Sequence, residues 1–260
     1  WIPALLMLAV YFFVLKQKWL GVVTSLVALF CVSNIVSYSF GAETEPAWAD
    51  GLPLKLVSYN IRASKRKETE IVQFFSQSHQ PDILLITETN ERWIKRLSEF
   101  KEIYPHEVCE PRPGANGIWL LSRFPICSVD PNGTAEEEPY PFISAVVESP
   151  QGPIRVIGIH PPVPIAPKGF RDRNQQFRLF AELAAKSEIP VILAGDFNCT
   201  PFSAHFRRLL NRGNLKNSAI GFGLRNTWWR TLSVLPIDFV LVSKGVYISH
   251  HQLGPLMGSD

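Results

Sequence analysis

The segment Gly195-Asp196-Phe197-Asn198 sets a carboxylate and a carboxamide two residues apart, directly after the apolar run Val191-Ile192-Leu193-Ala194. In extended backbone that spacing turns both side chains to one face. A pair so placed, directly after a wholly apolar run, reads as functional rather than structural. Other polar residues also fall at the ends of apolar runs: Asn60 after Leu56-Val57-Ser58-Tyr59, Glu88 after Ile83-Leu84-Leu85-Ile86-Thr87, and His160 after Val156-Ile157-Gly158-Ile159. Asp238 opens Phe239-Val240-Leu241-Val242, and Asp260 closes Gly258-Ser259. Oxygen donors of this kind suit a hard divalent cation, and a histidine beside them suits a hydrogen bond to a charged oxygen. Singly, each has a plainer explanation: a glutamate that starts a helix, a histidine before a proline-rich turn, an asparagine bonded to its own backbone, an aspartate that caps a strand. Converging at one rim, they would make a cleft.

The elements that must position them alternate short apolar strands with helices. Strands are expected at 54–59, 83–86, 117–121, 143–148, 154–159, 191–194 and 237–242. Helices are expected at 68–78, around Trp93, Ile94 and Leu97, and at 173–186 and 203–210. Strand-helix alternation at both ends with hairpin-like strands between them requires sheets with helices outside, an α/β or α+β class. Periodicity by itself does not choose among layered folds of that class.

The chain resembles the endonuclease/exonuclease/phosphatase superfamily, which has a DNase I-like fold. The resemblance rests on segments in order from Leu54 to Asp260: Ser58-Tyr59-Asn60-Ile61-Arg62, Pro81 to Glu88, Leu121 to Ile126, Ile159-His160-Pro161, Gly195 to Asn198, Ile237 to Leu241, and Gly258-Ser259-Asp260. It implies a four-layer α/β sandwich with a site at one rim between two sheets. It also implies Mg²⁺ or Mn²⁺ bound by Glu88 with help from Asn60 and Asp260. Asp196 would activate the attacking water, Asn198 would hold the phosphate or that water, and His160 would bond a phosphoryl oxygen. With the apolar segments ahead of the domain, Thr200-Pro201 and Thr227-Trp228 make the chain similar to the bacterial membrane-anchored branch. Two features depart from the pattern. Superfamily members continue after the last aspartate with a histidine paired to the carboxylate at the position of Asp238, so these 260 residues alone are expected to be nearly inactive and weakly stable. Phe239 stands where the branch usually has a histidine.

Arg62, Lys65, Arg66 and Lys67 form a basic loop after Asn60, and Arg171, Arg173 and Asn174 follow the turn after His160. Both are expected to border the cleft and suit a polyanionic substrate, although a solvated loop has the same composition. Trp228 and Trp229 either stack on a base or lipid head or fill the core; adjacent strand residues point opposite ways, so at most one would face substrate.

The first 42 residues form a separate region. Trp1 to Leu15 carries no charge, and a second uncharged stretch runs from Trp19 to Ala42 beyond Lys16-Gln17-Lys18. About 20 apolar residues span a hydrocarbon core, so the second stretch reads as a transmembrane helix and the first as the remainder of a truncated one. A signal peptide would need a charged start and a small-residue cleavage site, which two stretches separated by lysines fit less well. Lysines in the connecting turn place it on the cytoplasmic side, with residues 43–53 as linker and the domain at 54–260 extracytoplasmic, in a bacterial inner membrane. From Gly51 onward the charge is +4, too mild to establish nucleic-acid binding. Cys109, Cys127 and Cys199 fit no close-spaced zinc pattern and read as isolated core residues, although Cys109 and Cys127 could pair in an oxidising compartment.

Three functions remain open at this stage. The favoured one is a membrane-anchored phosphodiesterase or nuclease; a phospholipid-head or phosphomonoester hydrolase would use the same site; a membrane-tethered binding module would keep the fold without catalysis. Partners are accordingly a phosphate-ester substrate and the membrane, and no obligate protein partner is evident.

Overall fold

The computed structural model describes residues 2–36, 38–41, 46, 53–62, 68–78, 80–98, 100–134, 138–228, 235–255 and 257. Asp260, Lys65, Arg66, Lys67, Trp229 and most of the expected linker lie outside them. The chain groups into two units. One comprises Trp1–Thr44, Ala219–Arg225 and His250–Gln252; the other Glu45–Ser218, Asn226–Ser249 and Leu253–Asp260. Two segments from the second half, Ala219–Arg225 and His250–Gln252, thus group with the helices.

In the first unit, α1 (Ile2–Val14) and α2 (Lys18–Val36) form a hairpin. Its turn closes through Lys16 N–H to Phe13 O and Gln17 N–H to Phe12 O, with Lys16 in the left-handed region at φ 60°. Ala9, Gly21 and Ala28 are buried, whereas Leu6, Val10, Leu26 and Phe30 stand exposed. Small residues facing inward and large apolar ones facing outward are the reverse of a water-soluble helix pair. α2 is long and apolar enough to cross a membrane; α1, at 13 residues, is shorter than a span requires. The Tyr38 carbonyl accepts from both Gly221 and Gly223 N–H, at 2.9 and 2.8 Å, and Phe222 packs against His250 and His251.

The second unit has two sheets. Sheet A has the order β1-β2-β4-β3, with β1 (Leu56–Asn60), β2 (Ile83–Thr87), β3 (His106–Glu110) and β4 (Ile118–Ser122). Sheet B has the order β5-β6-β7-β8-β10-β9, with β5 (Ile126–Val129), β6 (Ile143–Ser149), β7 (Gly152–Ile159), β8 (Val191–Asp196), β9 (Leu215–Asn217) and β10 (Asp238–Ser243). Helix α3 (Glu68–Gln73) continues as a π-helical turn over Phe74–Ser78, and α4 (Glu91–Arg96) and α5 (Phe100–Ile103) follow on the same side. The longer α6 (Pro167–Ala185) and α7 (Ala204–Gly213) come later in the chain.

Strand alternation sorts the side chains into three cores. Ile83 and Leu85 of β2 and Ile118 and Leu120 of β4 meet Val156, Ile192, Ala194 and Val242 from sheet B, forming the layer between the sheets. The alternate residues Leu84, Ile86, Trp119 and Leu121 face α3 to α5 through Ile71, Phe75, Trp93 and Phe100. On sheet B the alternates Ile157, Ile159, Leu193 and Leu241 face α6 and α7 through Phe177, Phe180, Phe206 and Leu209. Helix, sheet, sheet, helix is the four-layer arrangement expected. Because both faces of the central strands are covered, they read as continuous apolar runs rather than as alternating ones. All four cysteines are free. Cys109 sits on β3, where burial pushes its thiol up to about 12, and Cys127 is exposed on β5 rather than in the core.

Candidate active site

The rim residues come together because of strand register. In sheet A, parallel pairing sets Asn60 opposite Thr87, so Asn60 and Glu88 emerge side by side. In sheet B, β7 and β8 run parallel with Ile159 opposite Gly195, bringing His160 beside Asp196, and antiparallel β10 sets Asp238 opposite Asp196. Carboxyl ends of neighbouring parallel strands are where α/β sheets commonly hold ligands.

One amide organises the centre. Asn60 Oδ1 accepts from Arg62 N–H at 2.8 Å, which fixes the side chain so that its NH₂ faces the other way. Asn60 Nδ2 then donates to Glu88 Oε1 at 3.0 Å and to Asp196 Oδ2 at 3.2 Å. The plain turn reading of Asn60 and the functional one thus hold together: the turn aims the amide. His160 Nε2 lies 4.0 Å from Glu88 Oε1 and 3.9 Å from Asp196 Oδ2, beyond hydrogen-bond range. Burial lowers the imidazole's pKa from its ordinary value, against the upward pull of the Glu88 carboxylate and the Ala115 backbone. Burial thus disfavours the charged imidazole that an ion pair at either contact would need.

The backbone around the site is held in costly conformations. Arg62, Glu88 and Asn198 all have positive φ, at 50°, 62° and 46°. Non-glycine residues adopt this region at a cost of roughly 1–3 kcal/mol each, and they do so where the surroundings enforce it. Asp196 Oδ1 accepts from Asn198 N–H at 2.8 Å, and Asn198 Nδ2 donates to Pro161 O at 3.0 Å, tying the turn after β8 to the turn after β7. On the other side, Thr89 N–H donates to Gly117 O at 3.1 Å. A Cβ on Gly117 would lie 1.8 Å from Thr89 O, so only glycine lets the loop carrying Ala115 lie against the residue after Glu88.

Asp238 is half-buried, and its N–H and that of Ile237 both donate to Thr227 Oγ1, at 3.0 and 3.1 Å. That hydroxyl gives Thr227 a structural reason to precede Trp228, which is half-buried and bridged to Leu235. Phe239 points to the opposite face of β10 and packs on Phe197 and Phe206, with ring centroids 5.5 and 4.7 Å away. It supports the Asp196 turn from below rather than entering the cleft. Arg62 is exposed next to Asn60.

Arg173 and Asn174 are not where a loop reading puts them. Both are buried, 4% and 6% exposed, on α6. Arg173 Nη1 donates to Asn198 O at 2.9 Å, and its Nε and Nη2 donate to Asn174 Oδ1 at 3.2 and 3.0 Å. Its guanidinium also lies 5.1 Å from the Phe170 ring centroid. Arg173 is thus a buried strut for the Asn198 turn, and the expectation that it contacts substrate at the cleft edge is corrected. Replacing it with Met would leave two buried acceptors unpaired, each costing about 1–3 kcal/mol. Arg173→Met is expected to lose about 2–6 kcal/mol in denaturant unfolding, whereas Arg171→Met on the exposed face loses less than about 0.5.

Two sheets covered by helices, with carboxylates, an amide and an imidazole at one rim, define a sandwich of the DNase I-like type. The chain belongs to the Endonuclease/Exonuclease/phosphatase family, whose sequence model matches residues 57–260. Among solved structures it is similar to beta toxin from Staphylococcus aureus, with 18% identity, a TM-score of 0.54, and 74% of this chain and 86% of that one covered. It is also similar to sphingomyelinase C from Streptomyces griseocarneus, with 19% identity, a TM-score of 0.53, and 74% and 84% covered. A third is the 3' phosphatase NExo from Neisseria bound to a product DNA hairpin, with 18% identity, a TM-score of 0.59, and 74% and 87% covered. At these identities the likeness is one of fold. No match was found among curated protein sequences.

Proposed function

We propose that the chain is a membrane-anchored, divalent-metal-dependent phosphoesterase that hydrolyses phosphodiester bonds, nucleic acid included, at the rim carrying Asn60, Glu88, His160, Asp196, Asn198 and Asp238. The observation that carries this reading is the pair of carboxylates, Glu88 and Asp196, gathered on the Asn60 amide beside the His160 imidazole. So much negative charge in partly buried surroundings favours a cation. Among the described residues, no three His, Cys, Asp or Glu side chains group into a metal cage; Mg²⁺ held through one or two carboxylates and several waters does not require one. Glu88 would hold the ion, with Mn²⁺ as its substitute, and Asp260 is proposed as a further ligand from family resemblance. Asn60 is proposed to help hold the ion as well as to fix the carboxylates: its Oδ1 accepts one bond, from Arg62 N–H, and keeps a second lone pair.

When bound, the ion supplies charge neutralisation at the phosphate and the leaving oxygen. The remaining work belongs to the chain. Asp196, held at Oδ1 by Asn198 N–H, takes a proton from the attacking water through Oδ2. A new P–O bond forms from that water, and the ester P–O bond to the leaving oxygen breaks. His160 and Asn198 steady the phosphoryl oxygens as charge builds. Asp238, beside Asp196 across the β8–β10 pair, orients groups on that side. Arg62 and Trp228 are proposed to meet the rest of the substrate.

The apolar outer face of the α1–α2 hairpin supports anchoring in a bacterial inner membrane, with Lys16 and Lys18 cytoplasmic and the 54–260 domain extracytoplasmic. The same face supports a second reading, hydrolysis of phospholipid heads or phosphomonoesters. Full-length protein in detergent, offered DNA, RNA and phospholipid substrates, is expected to turn over one class with Mg²⁺ and to lose roughly a hundredfold or more with EDTA. Folded protein without turnover on any class would replace hydrolysis with a binding role.

A further inference from the structure

Helices α6 and α7 enclose a groove of about 300 Å³ on the helix side of sheet B. Its floor is apolar, from Phe177, Ala181 and Leu209, and its walls carry Arg178, Arg208 and Arg212. The spacing explains the convergence. Asn174, Arg178 and Ala181 lie on one face of α6, and His205, Arg208 and Arg212 on one face of α7, at the three- and four-residue intervals of neighbouring turns. Arg178, Arg208 and Arg212 have no hydrogen-bond or ion-pair partner among the described residues. Of the nearby acids, Asp172 pairs with Lys168, while Glu182 is exposed and reaches Lys186 only at 4.0 Å.

A second observation points to a ligand. Asn174 is 6% exposed and lines the groove; its Oδ1 is taken by Arg173, while its NH₂ has no partner among the described residues. The NH₂ of this otherwise buried side chain stays reachable from the groove and can donate to an acceptor that enters it. His205, at one end, is held below its ordinary pKa first by burial and then by Arg208, Arg173 and Arg178, so the groove's field is positive.

We propose that this groove is a second anion site, separate from the rim carrying Asp196, which takes a phosphate monoester: the phosphoryl group between Arg178, Arg208, Arg212 and the Asn174 amide, its apolar body on Phe177 and Leu209. Three guanidinium groups and an amide supply more donors than a carboxylate's two oxygens can accept, which favours phosphate. A free phosphate monoester and a phosphomonoester lipid head share that chemistry.

The test reads binding, not turnover, so it stands whether or not the rim is catalytic. Full-length protein in detergent is titrated with millimolar inorganic phosphate in EDTA at physiological salt, by calorimetry. Saturable binding is expected, weakened at least tenfold in Arg208→Gln/Arg212→Gln and unchanged in Asp196→Asn, with thermal melting confirming that both variants fold. A parallel arm adds phosphatidic acid vesicles, with phosphatidylcholine vesicles as reference. Binding to phosphatidic acid vesicles that is lost in the double variant and displaced by phosphate supports the site with a lipid source; phosphate binding without vesicle binding supports it with a free one. Absence of saturable phosphate binding, or binding lost in Asp196→Asn and retained in the double variant, overturns the proposal.

Discussion

Asp196→Asn is expected to cut turnover about a thousandfold while leaving the protein as stable as before, or slightly more so. A positioned general base contributes roughly 10²–10⁴ in rate, and the substitution removes the base without removing its shape. The choice of Asn matters. Asp196 Oδ1 accepts from Asn198 N–H at 2.8 Å, a bond that Asn keeps and Ala would break, freeing a turn held at positive φ. Loss in Asp196→Ala alone would therefore mix chemistry with collapse of the turn. Stability is informative in the other direction. Asp196 is 6% exposed and shares the Asn60 amide with Glu88, so two carboxylates are held together in a poorly solvated site. Removing one charge relieves repulsion with Glu88, which offsets the loss of the Asn60 Nδ2 bond to Oδ2, and sites that trade stability for activity show this signature. A melting temperature that stays level or rises while kcat falls assigns Asp196 to chemistry. An Asn variant that keeps more than about a tenth of the activity removes Asp196 from the role of base.

Strands buried on both faces were legible as apolar runs, and polar residues at their ends were legible as a rim. β2, β4, β6, β7, β8 and β10 lie where the runs place them, within a few residues. The strands without such a signal are β3, β5 and β9, and each is the edge of its sheet or of its branch in the strand order. Their sequences, His106 to Glu110, Ile126 to Val129 and Leu215 to Asn217, mix polar and apolar residues because one side meets solvent or a loop. Each pairs along one side only, with the next strand in the chain, so half of its backbone and one row of its side chains lack the covering that makes an apolar run.

The misplacement of Arg173 has a similarly local cause. An expected helix start at 173 puts Arg173 and Asn174 at the mouth of the loop after His160, and basic residues there suggest substrate contact. The helix begins at Pro167, the first-turn position that proline favours, six residues earlier. Arg173, Asn174, Phe177 and Ala181 then share the face toward sheet B, and two polar residues become core. The Ala166-Pro167 signal was in the sequence; its weight against the prolines at 161, 162 and 164 was not decidable by pattern. Phe239 shows the converse, since β10 alternation fixes which face it takes and the structure only adds which rings it meets.

Gly195→Ala is expected to be among the most damaging single-methyl additions to the domain. Gly195 precedes the aspartate at the end of β8, with φ at +141°, a region essentially confined to glycine. A Cβ built there would lie 1.9 Å from Ile159 O and 3.0 Å from its carbonyl carbon. Both are backbone atoms of the paired strand, so no side-chain rotation relieves the contact. Ile159 and Gly195 are register partners in the parallel β7–β8 pair, and the following residues are His160 and Asp196. Relief therefore requires the strand ends to separate at the point where they present the imidazole and the carboxylate. Backbone strain of roughly 1–3 kcal/mol and an overpacking cost of similar size give an expected loss of about 4 kcal/mol. For a domain of this size that lowers the melting temperature by roughly 8–16 °C. Turnover should fall too, since His160 and Asp196 would move apart by part of an ångström. The contrast with Asp196→Asn separates the two effects: one variant loses chemistry with the fold intact, the other loses both together. If Gly195→Ala melts within about 2 °C of the parent, β7 and β8 do not meet as closely at this end as the structure places them, and the case for the site's geometry weakens with it.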